Sequence, residues 1–93
     1  MLLTDQSRIV VMKDRVSCDL AGEVAILNLE NGVYYGLNPM GARVWSLIQE
    51  PRTFAELRSA LLDEYDVEAT RLESDLRSLV AQLAEQRLVD ITP

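Results

Sequence analysis

The fold of this chain is decided by residues 24–38, which read VAILNLENGVYYGLN. Two runs of β-branched, aliphatic and aromatic residues flank Asn31-Gly32, a dipeptide that suits the two positive-φ positions of a type I′ turn. The stretch therefore predicts a β-hairpin with a two-residue loop. That loop length sets the register, and it pairs Leu29 with Tyr34 and Asn28 with Tyr35.

The register of this predicted hairpin assigns its side chains to two faces, because paired residues share a face. One face carries Leu27, Leu29 and Tyr34; the other carries Ile26, Val33, Tyr35 and Leu37. The second strand, 33–37, is therefore apolar on both faces, and helix-start residues follow it at once. A short strand of this kind at a sheet edge is a place where another chain can pair. This is the main functional indication of the sequence.

The segments before the hairpin predict further strands. Residues 16–20 alternate between apolar and polar side chains, and with the hairpin they form an antiparallel meander in the order 16–20, 23–30, 33–37. Residues 8–12 have strand composition, which leaves open an additional N-terminal strand. Residues 1–7 are expected to form a flexible tail.

Helix signals follow the hairpin. Asn38 is a suitable N-cap and Pro39 a suitable first residue for a helix that Pro51 ends. Thr53 and Glu56 form a capping-box pattern that opens a second helix.

A third helix is predicted over about 68–86, with a second capping pattern at Thr70, and residues 88–91 then return to the core or pair briefly. Three strands followed by three helices predict one α+β domain over 1–93, winged-helix-like, in which the helices cover one face of a three-stranded antiparallel sheet. The expected core consists of Leu27, Leu29, Trp45, Leu57, Leu61 and Leu76.

The composition limits the kinds of function. The 93 residues carry a formal net charge of −6 without a basic run, which argues against a nucleic-acid partner. The chain has no histidine, and its one cysteine, Cys18, is interpreted as a free buried thiol. We therefore expect no enzymatic activity, no cofactor and no metal. Neither a signal peptide nor a membrane span is visible, so we expect a cytoplasmic protein without a membrane partner.

The charges of the third helix bear on the main alternative, a winged-helix DNA-binding regulator. A DNA recognition helix is expected to carry a net positive face, whereas this helix and its flanks have three positive and four negative residues. They are Arg71, Arg77 and Arg87 against Glu68, Glu73, Asp75 and Glu85. A purely structural subunit of a larger complex is a second alternative.

Several short motifs, in the order in which they occur, resemble those of the PqqD-like family. They are Leu27-x-Leu29-x-x-Gly32-x-Tyr34-x-x-Leu37-Asn38-Pro39-x-Gly-Ala-x-Val44-Trp45, then Pro51-x-Thr53-x-x-Glu56-Leu57, Tyr65-Asp66-Val67, and Asp75-Leu76-x-x-Leu79-x-x-x-Leu83 with Leu88-Val89. The family consists of recognition domains for ribosomally made, post-translationally modified peptides. The resemblance covers about residues 16–89, and as a free-standing chain this protein is most similar to the small B1 proteins of lasso-peptide biosynthesis.

This resemblance implies capture of a leader peptide. In the family, the leader of a precursor peptide adds as an antiparallel strand to the third strand and lies in a groove against the third helix. The residues implied for peptide binding are Val33, Tyr34, Tyr35, Gly36 and Leu37 on the strand, with Arg71, Leu72, Asp75, Leu76, Leu79 and Gln82 on the helix. Leaders of the lasso group resemble a Tyr-x-x-Pro pattern followed by an apolar residue.

The resemblance also implies partners. In lasso pathways these are a separate leader-cleaving cysteine protease of the B2 type and a cyclase that acts next; free-standing PqqD-like chains also serve as chaperones in radical-enzyme pathways. The sequence departs from the family in lacking a basic cluster on the third helix. Any charge contact between this helix and an acidic leader residue would therefore be made by Arg71 or Arg77.

Overall fold

The computed structural model describes residues 3–21 and 23–93. In chain order its elements are the strands β1 (Arg8–Val11), β2 (Arg15–Leu20), β3 (Glu23–Asn28) and β4 (Val33–Leu37), the helix α1 (Pro39–Leu47), the short strand β5 (Arg52–Thr53), the helices α2 (Phe54–Glu64) and α3 (Ala69–Glu85), and the strand β6 (Val89–Thr92). None of the described helices is long and apolar enough to cross a membrane.

The strands form two antiparallel sheets of three strands each, in the orders β2-β3-β4 and β5-β1-β6. The first is the predicted meander, and the α+β class is confirmed. The prediction of a single three-stranded sheet was wrong, because β1 pairs with β6 on one side and with β5 on the other and so forms a second sheet. Both partners lie in the second half of the chain, where no local pattern reveals the pairing. The winged-helix likeness stays a prediction.

The β3–β4 hairpin has a four-residue loop, 29–32, and not the predicted two-residue loop. Asn28 closes this loop: its side chain accepts a hydrogen bond from the Glu30 N–H at 2.9 Å, and its carbonyl accepts one from the Gly32 N–H at 2.8 Å. Gly32 is the one loop residue with a positive φ, 72°, so a type I′ turn does not form. Asn28 therefore pairs with Val33, and the predicted register was wrong by two residues.

The shift by two residues keeps each side chain on its predicted face, since side chains alternate with a period of two. The face that meets the helices carries Ile26, which is 0% exposed, and Leu37. Leu29 is 55% exposed and Leu27 is half-buried, so both were wrongly assigned to the core. Both faces of the hairpin are apolar, and the pattern therefore does not decide which one the helices cover. The core assignment is confirmed for Trp45, Leu57, Leu61 and Leu76.

Two of the three predicted helix caps are confirmed. The Asn38 side chain accepts a hydrogen bond from the Gly41 N–H at 2.8 Å, with Pro39 in the first turn of α1. Thr53 forms a capping box at the start of α2. The cap predicted at Thr70 was wrong: α3 begins after Glu68, without a side-chain cap.

Residues 3–7, expected as a flexible tail, are joined to α2 and α3. The Ser7 carbonyl accepts a hydrogen bond from the Phe54 N–H at 2.8 Å, and the Leu3 carbonyl accepts one from Arg77 at 2.8 Å. The Asp5 carboxylate accepts two hydrogen bonds from the guanidinium of Arg58. Residues 1–2 lie outside the described part of the chain.

Candidate functional site

Strand β4 lies at one edge of the β2-β3-β4 sheet, and in the described part of the chain no strand pairs with its outer side. Val33 is 52% exposed and Tyr34 is 69% exposed. Edge strands with exposed apolar side chains are potential pairing sites for another chain. The edge predicted from the sequence is therefore present.

The hydrogen bonds around Asn28 establish which residues of β4 face this edge. The Leu29 N–H donates to the Asp14 carbonyl on the β2 side, so Asn28, one residue earlier, directs its backbone groups towards β4. Backbone groups alternate along a strand, and Asn28 is paired with Val33. Val33, Tyr35 and Leu37 therefore direct their N–H and C=O groups towards β3. Tyr34 and Gly36 direct theirs outwards, towards the open edge.

Side chains of β4 and α3 meet across the space between these two elements, which we call the groove. Tyr35 is half-buried on the helix side of the sheet, and its hydroxyl donates a hydrogen bond to Gln82 Oε1 of α3 at 3.3 Å. This bond spans the groove at the middle of β4. The strand and the helix are thus adjacent and in contact through these two side chains.

Different segments of the chain lie at the two ends of the groove. Where β4 ends, α1 begins, and Met40 of α1 lines a pocket together with Arg71 of α3. Where β4 begins, the Arg15 guanidinium donates to the carboxylate of Glu30 in the loop at 2.9 Å and to the Arg87 carbonyl after α3 at 2.8 Å. The start of α3 therefore lies at the end of β4, and the two elements run in opposite directions.

The pocket at the α1 end is apolar, with two charges at its rim. It is lined by Met40, Tyr65, Val67, Arg71, Leu72 and Asp75. Its cavity volume of about 90 Å³ is well below the roughly 300–1,000 Å³ of pockets that enclose a whole small-molecule ligand. A pocket of this size suits one large side chain.

The charges at the rim of this pocket are Arg71 and Asp75, one helical turn apart and both exposed. Within the described ranges neither side chain takes part in an ion pair or a hydrogen bond. A cation and an anion are therefore available to a ligand that enters the pocket.

The helix residues implied by the family resemblance fall into two groups. Arg71, Leu72 and Asp75 line the pocket, and Gln82 faces Tyr35 across the groove. Leu76 is 0% exposed and belongs to the core, and Leu79 is half-buried against it.

Three pocket residues were not among those implied: Met40, Tyr65 and Val67. They come from the start of α1 and from the segment that joins α2 to α3. Val67 carries the one available signal, since it is an apolar residue within an acidic, turn-like segment, and it is 46% exposed. The meeting of these segments with α3 depends on the tertiary fold.

The described residues include no group of three or more His, Cys, Asp and Glu side chains placed to hold a metal ion. Cys18 was expected to be buried, and this was wrong: it is exposed on β2, an edge strand of the first sheet. The groove offers backbone pairing, apolar contact and hydrogen bonding.

Known proteins share the fold of this chain. The model of the family "Coenzyme PQQ synthesis protein D (PqqD)" matches residues 23–89. The structure of TbiB1 in complex with the TbiA(β) leader peptide is 34% identical, with a TM-score of 0.81, and the match covers 87% of this chain and 94% of that one. A lasso peptide synthetase B1 complexed with its leader peptide shares the fold, at 23% identity and a TM-score of 0.78, over 88% of this chain and 96% of that one. No curated protein matches significantly. The chain belongs to the PqqD family.

Proposed function

We propose that this chain is a non-catalytic recognition domain that binds the leader segment of a ribosomally made precursor peptide by strand addition to β4, and that it acts in lasso-peptide biosynthesis. The observation that carries the proposal is the open edge of β4 beside α3. There Tyr34 and Gly36 direct donors and acceptors outwards, in the spacing that an added strand uses. The similarity to TbiB1, which is described in complex with a leader peptide, supports the same conclusion.

The opposed directions of β4 and α3 determine in which direction the bound leader runs. An antiparallel partner of β4 runs parallel to α3, since β4 and α3 are opposed. Its N-terminal part then lies at the pocket, and its C-terminal part leaves beside the loop 29–32. Strand β4, with five residues, is about 17 Å long and α3, with 17 residues, is about 25 Å long, so one helix can accompany the whole added strand.

Affinity and specificity have separate sources in this arrangement. Backbone pairing with Tyr34 and Gly36 is independent of the leader's sequence, whereas alternate side chains of an added strand enter the space between strand and helix. An apolar residue of the leader would fill the pocket, and a Tyr-x-x-Pro pattern meets that requirement. Arg71, Asp75 and Gln82 would then contact polar groups at the margin.

The function of such a domain is to raise the local concentration of the precursor near an enzyme. A bound leader keeps the rest of the precursor tethered, so encounter with the enzyme becomes effectively intramolecular. We propose a separate leader-cleaving cysteine protease of the B2 type as that enzyme, followed by a cyclase. Since the leader's C-terminal part leaves beside loop 29–32, the scissile segment would emerge at that end of the groove.

The proposal is tested by fluorescence polarisation with two labelled leaders, that of TbiA(β) and that of the short precursor peptide encoded nearest to this chain. We expect saturable binding of at least one leader, no binding of a scrambled version, and no change in the mass of the unlabelled precursor. A labelled DNA duplex tests the regulator alternative at physiological salt. Binding of the duplex together with failure of both leaders would refute the recognition role.

A further inference from the structure

An ion pair at the side of the pocket joins two helices. Arg43 of α1 donates from Nε to both carboxylate oxygens of Glu64, the last residue of α2, at 2.9 and 3.0 Å, and its Nη2 also donates to Oε1. The contact is bidentate, a geometry that fixes the relative orientation of the two side chains. Hydrogen bonding to Arg43 lowers the pKa of the Glu64 carboxyl, so the pair is fully charged at neutral pH.

The position of this pair relates it to the pocket walls. Met40, on one wall, lies one turn before Arg43 on α1, and Tyr65, on another, directly follows Glu64. Helix α1 packs on β3 and β4, whereas α2 packs on α3. The Arg43–Glu64 pair therefore connects α1 to the end of α2 beside the pocket, in addition to the core that both helices share.

The Arg43–Glu64 pair is partly exposed to solvent, and this bears on whether it stabilises the fold or only positions the pocket walls. The side chains of Arg43 and Glu64 are 41% and 37% exposed. Ion pairs with this access to water add little to the free energy of folding. The core beneath them is made of buried apolar residues that do not depend on the pair. Loss of the pair is therefore expected to leave the fold intact and to loosen the segment that follows α2, while Tyr65 keeps its hydrogen bond to the Leu61 carbonyl.

We propose that Arg43 and Glu64 are positioning residues that set the width of the pocket and thereby the size of the leader side chain it accepts. The identity of the ligand in this inference rests on the proposed function, whereas the width of the pocket rests on the structure. With the pair intact, Tyr65 and Val67 are held opposite Met40 at a spacing that fits one large side chain. Without it, the segment after α2 moves relative to α1 and the apolar contact is lost.

The test uses p-cresol, the side chain of tyrosine, as a probe that needs no leader. Its binding is followed through the NMR signals of the Met40 methyl group and the Tyr65 ring. Glu64→Gln and Arg43→Gln should each weaken p-cresol binding about three- to tenfold with little change in melting temperature. The exchanged pair, Arg43→Glu with Glu64→Arg, should recover part of that affinity. The matched control is Asp63→Asn, the same loss of charge one residue away, which should bind as the parent does.

The outcomes distinguish this inference from the proposed function. If the parent binds no leader but p-cresol binding follows the pair, the recognition role fails and the positioning role stands. If both pair variants bind p-cresol as Asp63→Asn does, the positioning role is refuted. The same holds if p-cresol leaves the parent's pocket signals unchanged. If Glu64→Gln and Arg43→Gln lower the melting temperature by several degrees together with the p-cresol affinity, the pair has a structural role and the positioning role is refuted.

Discussion

Tyr34 and Tyr35 are neighbours in β4, yet their backbone N–H groups point in opposite directions. The N–H of Tyr35 points towards β3 within the sheet, and that of Tyr34 points to the open edge. Their side chains also differ, because Tyr35 reaches Gln82 across the groove while Tyr34 lies on the outer face. A proline at each position therefore tests a different bond.

Tyr34→Pro removes an outward donor, and proline is tolerated at sheet edges where the N–H faces solvent. We expect this variant to remain folded and to lose leader affinity about tenfold or more. Tyr34→Ala, which keeps the N–H, isolates the contribution of the ring and should lose less. Tyr35→Pro breaks the pairing with Ile26 and should lower the melting temperature of the free protein. Equal leader affinities for Tyr34→Pro and Tyr34→Ala, measured by fluorescence polarisation, would exclude backbone pairing at this edge.

Asp75 and Leu76 are likewise adjacent in the sequence, but Asp75 lies at the pocket rim and Leu76 lies in the core. Asp75 is exposed at the pocket rim, so Asp75→Ala should weaken leader binding by about 1.5–3 kcal/mol, roughly ten- to a hundredfold, without lowering the melting temperature much. Leu76 is 0% exposed, and Leu76→Ala should destabilise the protein by about 2–5 kcal/mol. Glu85→Ala, near the far end of α3, serves as the control. If Asp75→Ala and Glu85→Ala bind the leader equally, α3 does not form the second wall at Asp75.

Among the elements, the hairpin has one part that the local sequence pattern predicts and one part that it does not. The two strands and their two apolar faces follow from the alternation in 24–38. The loop does not, because Asn28 captures the Glu30 and Gly32 N–H groups and so competes with the two-residue turn. The family resemblance implied α3 as the second wall, and its residues Arg71, Leu72 and Asp75 line the pocket. The pocket additionally needs α1 and the α2–α3 connection, which only the packed molecule brings together.

The caps of α2 and α3 provide a matched pair for testing these elements. Thr53 accepts from the Glu56 N–H at 3.1 Å while the Glu56 side chain accepts from the Thr53 N–H at 2.8 Å. Thr53→Ala should therefore cost about 1 kcal/mol of unfolding free energy. Thr70 matches the same sequence pattern but does not cap α3, so Thr70→Ala should stay within about 0.5 kcal/mol of the parent. Urea denaturation measures both, and equal losses would contradict the assignment of the cap.

At the scale of the whole molecule, exposed carboxylates connect segments that are distant in the sequence. Asp5 joins the N-terminal segment to Arg58 of α2, and Glu64 joins α2 to α1. Neither connection has a local sequence signal, and for this reason the sequence alone predicts a flexible tail for residues 3–7. The apolar core lies between these segments, and the carboxylates add ion pairs at its surface.

These connections predict how stability depends on pH. The pKa of Asp5 is lowered mainly by its hydrogen bonds from Arg58, that of Glu56 by the Thr53 N–H, and that of Glu64 by Arg43. A carboxyl whose pKa is lower in the folded than in the unfolded state stabilises the fold above its unfolded pKa, and this contribution is lost as the pH falls through the folded pKa. Stability should therefore be insensitive to these groups above about pH 5, and their contribution should decline from about pH 4.5 downwards.

A second effect acts in the opposite direction, because the chain carries a net charge of −6 at neutral pH and protonation relieves its self-repulsion. The informative quantity is thus the difference between the parent and the triple variant Asp5→Asn, Glu56→Gln and Glu64→Gln, compared by urea denaturation from pH 7 to pH 3. The parent should be the more stable protein at pH 7, and the two should converge below about pH 4 as its carboxylates take up protons. A constant difference across this range would mean that the three carboxylates have the same pKa in the folded and unfolded chain, and that their hydrogen bonds do not hold the elements together in solution.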